Sequence, residues 1–331
     1  MSYQHLNEIE RGMIQALREH GVSQNAIAER LGRHKSTVSR ELRRNARTSA
    51  YKAHLAQRQY RQRRERCRAP KKLGYQPLWE YLIARVGESW TPEEVAGRLP
   101  LDYPGDPCMR ISHETIYQAI YKDKRLHFLI KSLPQGRPKR RKRGQGKSRR
   151  GPSIPNRTGI QARPEIVDKR GRHGDWEGDL VLGSKQSGAI LTLVDRKSRH
   201  LKARKVHSKG ADEVAKAVID VFQDTPISWV KTITFDNGTE FAHHQEMASH
   251  LTVDIFFADP YSSYQRGTNE NTNGLIRRYL PKGSSFEYLT QHQLDTIVEE
   301  INNRPRKCLG YRTPNEVFQE QRDLHRVALG S

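Results

Sequence analysis

Between residues 175 and 303 the chain alternates two apolar patterns, and their order leaves few architectures open. Residues 175–183, 189–195 and 199–206 read as three strands in hairpin order, joined by short turns at 184–188 and 196–198. Residues 211–222 then take helical spacing, with Val214, Ala217, Val218 and Val221 on one face. Residues 230–235 form a β-branched run that reads as a buried strand. A short helix near 243–250, a strand at 253–257 and helices at 268–279 and 291–303 complete the series. The expectation is an α/β domain over 163–325, built on a five-stranded mixed sheet.

Three carboxylates fall at informative places in that series. Asp236 ends the fourth strand and opens Asp236-Asn237-Gly238-Thr239-Glu240-Phe241, where Asn-Gly is expected to turn sharply, since both residues tolerate positive φ. Asp179 lies in the first strand, within Trp176-Glu177-Gly178-Asp179. Glu270 starts a helix in Arg266-Gly267-Thr268-Asn269-Glu270-Asn271, with 33 residues separating it from Asp236. Carboxylates that converge from such elements suit a pair of Mg²⁺ or Mn²⁺ ions, which need few protein oxygens and can serve phosphoryl transfer. Asp175, Glu177 and Asp179 share one strand face, so the residues alone leave Glu177 as a rival to Asp179. Asp195 and Asp259 read as turn formers, and His243 and His244 as a surface pair. Trp176 reads as core. Arg266, Asn269, Asn273, Arg277 and Lys282 surround the Glu270 helix and read either as contacts to the scissile strand or as a solvated face. Arg304 and Lys307 read as phosphate contacts or as caps of the preceding helix.

The charge is divided unevenly. The 331 residues carry a net charge of +22. Residues 1–164 hold 36 basic and 14 acidic side chains, whereas 165–331 hold 23 of each. The excess therefore lies wholly in the front half, which points to a nucleic-acid-binding front end attached to a neutral module. Residues 1–47 carry helix-turn-helix patterning: a helix over 6–20 stopped by Gly21, a second capped by Ser23, and a recognition helix from Lys35 to Arg44. Lys35, Ser36, Ser39, Arg40 and Arg43 would face the groove, with Arg40 and Arg43 able to reach guanine edges. Residues 48–72 form a basic linker or a helix lying on phosphates. A second helical, helix-turn-helix-like domain spans 73–130, with Thr91 capping a helix that has Pro92 at its first position and a loop expected over 100–108. Residues 131–162 form a second basic linker. Nine of the fourteen residues from Arg137 to Arg150 are basic, Arg140 and Arg141 among them, and suit a backbone-tracking arm.

Taken together these strings resemble the DDE transposases and retroviral-type integrases. The fuller string Gln265-Arg266-Gly267-Thr268-Asn269-Glu270-Asn271-Thr272-Asn273-Gly274-Leu275-Ile276-Arg277, with Leu280-Pro281-Lys282-Gly283 and Asn303-Arg304-Pro305-Arg306-Lys307, is similar to bacterial insertion-sequence transposases of the IS-thirty family. The resemblance covers nearly the whole chain. It implies a ribonuclease-H-like, integrase-type core with Asp179, Asp236 and Glu270 as catalytic, metal-holding carboxylates and two ions per active site. It favours Asp179 over Glu177. It implies double-stranded DNA as partner, both the element's terminal inverted repeats and the target, and transfer of 3′-hydroxyls between strands. Synapsis of two ends implies a homodimer or higher homo-oligomer.

Two other classes compete: a helix-turn-helix transcriptional regulator with a degenerate enzyme fold, and a ribonuclease-H-like nuclease. Cys67, Cys108 and Cys308 are too dispersed for a zinc ribbon or a disulfide framework. No apolar run of membrane length is read. A bacterial cytoplasmic setting follows, nucleoid-associated when DNA-bound, with no membrane partner.

Overall fold

The computed structural model describes residues 4–45, 50–66, 72–133, 154–184, 187–260 and 262–329. The basic arm with Arg140 and Arg141 lies outside them. The chain divides into two compact units, Met1–Tyr75 and Gln76–Ser331.

The first unit holds helices α1 (Glu8–Glu19), α2 (Gln24–Arg30), α3 (Lys35–Asn45) and α4 (Ala53–Arg66). Asn7 and Glu10 cap the start of α1 reciprocally, each side chain accepting the other's backbone N–H at 2.8 and 2.7 Å. Gly21 and Gly32 adopt positive φ (71° and 61°), which lets the chain leave α1 and α2 without a Cβ penalty. Leu6, Ile14, Ile27, Val38 and Leu42 make the core, and Tyr51 and Ala56 join it. Those last two residues explain why the 48–72 segment, despite its charge, contains a helix packed on α1. Arg11 is buried and neutralised: its Nε donates to Glu41 at 2.8 Å and its Nη1 to Gln57 and the Leu6 carbonyl at 2.7 and 2.6 Å.

The second unit begins with α5 (Gln76–Gly87), α6 (Pro92–Asp102) and α7 (His113–Lys122), followed by a 3₁₀ stretch, Lys124–Ser132. Thr91 caps α6 as expected, in a reciprocal pair with Glu94. The loop expected over 100–108 is shorter, because α6 continues through Pro100 to Asp102. Buried Val95 and Leu99 hold its apolar face.

The remainder is a five-stranded sheet in the order β3-β2-β1-β4-β5. Its strands are β1 (Asp175–Leu182), β2 (Ala189–Asp195), β3 (Leu201–Val206), β4 (Thr232–Phe235) and β5 (Asp254–Phe257). The first three pair antiparallel, and β1–β4 and β4–β5 pair parallel. The short α8 (Glu165–Asp168) precedes β1; α9 (Ala211–Phe222) and α10 (His244–Leu251) flank β4; α11 (Gly267–Tyr279), α12 (Gln291–Asn302) and α13 (Pro314–Leu329) follow β5. One face of the sheet packs Trp176, Leu191, Leu193 and Phe235 against α9 and α10. The other packs Val181, Ile190, Val194 and Leu201 against α11 and α12. Alternation along β1 thus sends Trp176 into the first layer and Asp175, Glu177 and Asp179 toward the second. Gly178 stands between two of those acids for a steric reason. A Cβ there would come within 2.2 Å of the Phe235 ring.

Candidate active site

The register of β1 with β4 brings the first two carboxylates together. Asp175 pairs with Thr232 and Glu177 with Thr234; two residues further on, Asp179 in β1 and Asp236 just past β4 meet a common partner, Arg266. Asp236 follows the last residue of β4, and its Oδ1 accepts the Gly238 N–H at 3.0 Å. The turn after Asp236 does not use the positive φ that Asn237 and Gly238 tolerate; Gly238 has φ −69°. Glycine has a different use here, because the Glu240 carboxyl folds back to within 2.5 Å of where a Gly238 Cβ would stand. Asn237 fastens the end of β4 to the end of β5, its Nδ2 donating to the Ala258 carbonyl at 2.5 Å while Arg157 donates to its Oδ1.

The three acids of β1 meet different surroundings. Asp175 is fully buried and accepts from Arg172 and the Thr232 hydroxyl. Glu177 is fully buried, ion-paired with Arg196, and its Oε2 accepts the Asn269 N–H of α11 at 3.0 Å. Asp179 is the accessible one, with its side chain 25% exposed. Its Oδ1 accepts Leu180 N–H at 2.9 Å and its Oδ2 accepts Asn273 Nδ2 at 2.8 Å. Burial pushes the Asp179 carboxyl above the usual aspartate range; Arg266 opposes this and Asp236 adds to it. Glu240 is likewise pushed up, by burial first and then by Asp236 and Asp179. It is an acidic neighbour that no pattern in the sequence had singled out.

Arg266, at the start of α11, links the two aspartates. Its Nη2 lies 3.1 Å from Asp236 Oδ2, and its Nη1 lies 3.6 Å from Asp179 Oδ1 and donates to the Gly178 carbonyl at 3.0 Å. Glu270 is exposed one turn further along the same helix. Among the described residues, no three acids, histidines or cysteines stand close enough to hold one metal ion. Asp179 and Asp236 are brought together, and Glu270 stands apart from them. The start of α11 is held by Glu177 and by Arg199, which donates to the Thr268 hydroxyl at 2.5 Å. Asn269 is wholly buried there with both side-chain polar atoms unpartnered.

Residues 2–45 match the family described as helix-turn-helix domain, and residues 170–263 the one described as integrase core domain. The second match includes Asp179 and Asp236 and stops short of Arg266 and Glu270. Over its full length the chain is 41% identical to the transposase for insertion sequence element IS4351 of Bacteroides fragilis, covering 99% of each chain. It is 39% identical to the transposase for insertion sequence element IS1086 of Cupriavidus metallidurans, over 96% of this chain and 95% of that one. It is 40% identical to transposase InsI for insertion sequence element IS30C of Escherichia coli, over 95% of this chain and 83% of that one. The chain belongs to the IS-thirty (IS30) family of insertion-sequence transposases. It is therefore a DNA transposase of the DDE-type polynucleotidyl transferase class, with a helix-turn-helix front domain and an integrase-type core.

The transposase distributes its other candidate residues unevenly. Lys35, Ser39, Arg40 and Arg43 are exposed on α3, opposite buried Val38 and Leu42. Ser36 is half-buried and bonded to Arg40 Nη2 and His34 Nδ1, each at 2.8 Å. Near α11, Asn273 holds Asp179, and Arg277 donates to the Leu182 carbonyl at 2.7 Å. Lys282 is exposed. His244 departs from expectation. It is buried edge-on to Phe257, while His243 stays partly exposed beside Asp212. Arg304 and Lys307 neither cap their helix nor stand free for phosphate. They pair with Glu94 and Glu93 of α6 at 2.8 and 2.6 Å. No helix among the described residues is long and apolar enough to cross a membrane.

Proposed function

We propose that this transposase binds the terminal inverted repeats of an insertion element, cleaves the element ends and transfers 3′-hydroxyls to DNA, with Asp179, Asp236 and Glu270 as its carboxylates. The observation that carries this reading is the convergence of Asp179 and Asp236 on one cationic group, with Glu270 one turn along the helix that supplies that group. Two carboxylates that share a positive charge form an oxygen-only donor set of the kind hard divalent cations take. A pair of Mg²⁺ or Mn²⁺ ions, when bound, activates the attacking oxygen and stabilises the leaving oxygen. Asp179 and Asp236 would hold such ions directly, and Glu270 would complete the set from α11.

The remaining residues have supporting tasks. Asn273 fixes the rotamer of Asp179, leaving Oδ1 turned toward Asp236's partner. Glu177 and Arg199 fix the first turn of α11. Exposed Lys35, Ser39, Arg40 and Arg43, with Ser36 at their edge, would address the DNA groove, and Arg140 and Arg141 in the basic arm, with Arg277 and Lys282 beside α11, would meet phosphates. Joining two element ends requires two sets of end-binding elements, so the active form would be a homodimer or a larger homo-oligomer.

The test is a joining assay. Labelled DNA carrying the element's ends is incubated with the full chain and Mg²⁺ or Mn²⁺, and the products are separated by size. Joined strands are expected. Cleavage without joining would make the protein a nuclease, and binding without either would make it a regulator.

A further inference from the structure

Arg266 occupies an unusual place for a residue expected on DNA. Its guanidinium lies between Asp179 Oδ1 and Asp236 Oδ2, the side chain is only 12% exposed, and Nε is buried without a hydrogen-bond partner. Neutral donors take the remaining oxygens of the two carboxylates: Gly238 N–H on Asp236 Oδ1 and Asn273 Nδ2 on Asp179 Oδ2. Among the described residues, no other cation forms an ion pair with either aspartate. The charge that compensates the pair is therefore the guanidinium itself.

We propose that Arg266 competes with divalent cations for Asp179 and Asp236, and that it withdraws from them when a DNA phosphate offers it a better partner. The proposal rests on the reading of those aspartates as metal-holding groups. Three physical points support it. A guanidinium and a divalent cation cannot share the same two oxygens without strong repulsion at separations of a few ångströms. Arg266 is also incompletely satisfied where it stands, since its Nε has no acceptor, whereas a phosphate accepts an arginine fork bidentately. Finally, Arg266 and Glu270 are four residues apart at the start of α11, hence on the same side of that helix. Withdrawal of the arginine frees the flank from which Glu270 would approach. Metal and DNA would then bind with positive coupling, each favouring the other by the same factor.

The test is Mn²⁺ binding to the full chain, first without DNA and then in complex with DNA carrying the element's ends, followed by electron paramagnetic resonance, for the unmodified protein and for Arg266→Gln, Arg266→Lys, Asp236→Asn and the Arg266→Gln/Asp236→Asn double variant. Arg266→Gln is expected to bind Mn²⁺ at least roughly tenfold more tightly, Arg266→Lys to stay closer to the unmodified chain, and the gain to vanish in the double variant. General damage to the fold would weaken binding, so a gain cannot arise from misfolding. Equal or weaker affinity in Arg266→Gln, or a gain that survives Asp236→Asn, overturns the competition. Mn²⁺ binding to the DNA complex that is indifferent to Asp236→Asn overturns the reading of the aspartates themselves. Binding that needs Asp236 but ignores Arg266 overturns the competition alone.

Discussion

Glu177 and Asp179 are two residues apart on one strand face, yet they are different chemical objects. Glu177 has no exposure, a guanidinium partner and a backbone N–H from α11. Asp179 is held in a site where its ionised form is disfavoured, by burial above all and also by Asp236. The two residues should therefore fail in opposite ways. Glu177→Gln leaves Arg196 buried without its anion, and breaking a buried pair from one side costs about 3 kcal/mol or more. The amide oxygen can still accept the Asn269 N–H, so joining should persist below the melting temperature. Asp179→Asn removes a carboxyl group whose ionised form burial disfavours, so stability should be equal or higher while joining is lost. Thermal melts and joining assays on the two variants check this; loss of joining in Glu177→Gln with full activity in Asp179→Asn would reverse the assignment. The residues alone could not separate the pair, because strand alternation gives both the same face. What separates them is contact with Arg196 and α11, and neither partner is close in sequence.

At the scale of elements, apolar patterning was a good guide both where one face alone was buried, as in α9, and where a whole strand was, as in β2. It gave β2 and α9 with their observed bounds, and β1, β4, β5, α11 and α12 to within a residue or two. It also gave the α3 face, with Val38 and Leu42 inward and the basic residues outward. It did not give α13. Much of that helix is polar, and its contact with the sheet layer runs through Phe318, which stacks on His200 at 4.1 Å and meets Trp176 and Trp229 edge-on. Nor did it give the length of α6 or the true task of Gly238, which depend on packing and on a side chain two residues away. The Phe318 contact carries a pH prediction. Burial first, and then Lys202, push the His200 imidazole down to about 4. Its folded value lies below its unfolded value, so the folded state binds fewer protons and loses stability as pH falls. The loss should begin below about 6.5 and be complete near 4, amounting to roughly 3 kcal/mol. Melting temperatures measured across that range should fall, and His200→Phe, which keeps the ring but cannot protonate, should flatten the fall. An identical pH profile in His200→Phe would remove His200 from the explanation.

At the scale of the molecule, the helices of residues 76–133 and the integrase-type core belong to one compact unit, joined by ion pairs that the sequence did not reveal. Arg304 reaches Glu94 at 2.8 Å, Lys307 reaches Glu93 at 2.6 Å, and Arg98 reaches Glu316 at 2.5 Å. Glu94 serves twice, since it also caps the start of α6. Arg304, which looked available for phosphate, is thus buried in an ion pair, whereas Lys307 pairs at the surface, and the excess positive charge lies in the first half of the sequence. The neutral core contributes the carboxylates. That division makes binding and chemistry separable, and the most direct measurement exploits it: strand joining and DNA binding, side by side, for Asp179→Asn, Asp236→Asn and Glu270→Gln on DNA carrying the element's ends. Without divalent metal each variant should bind that DNA at least as tightly as the unmodified chain, while joining in the presence of metal falls at least roughly a thousandfold, several kcal/mol of transition-state stabilisation. Undiminished joining by Asp236→Asn or Glu270→Gln would contradict the carboxylate site.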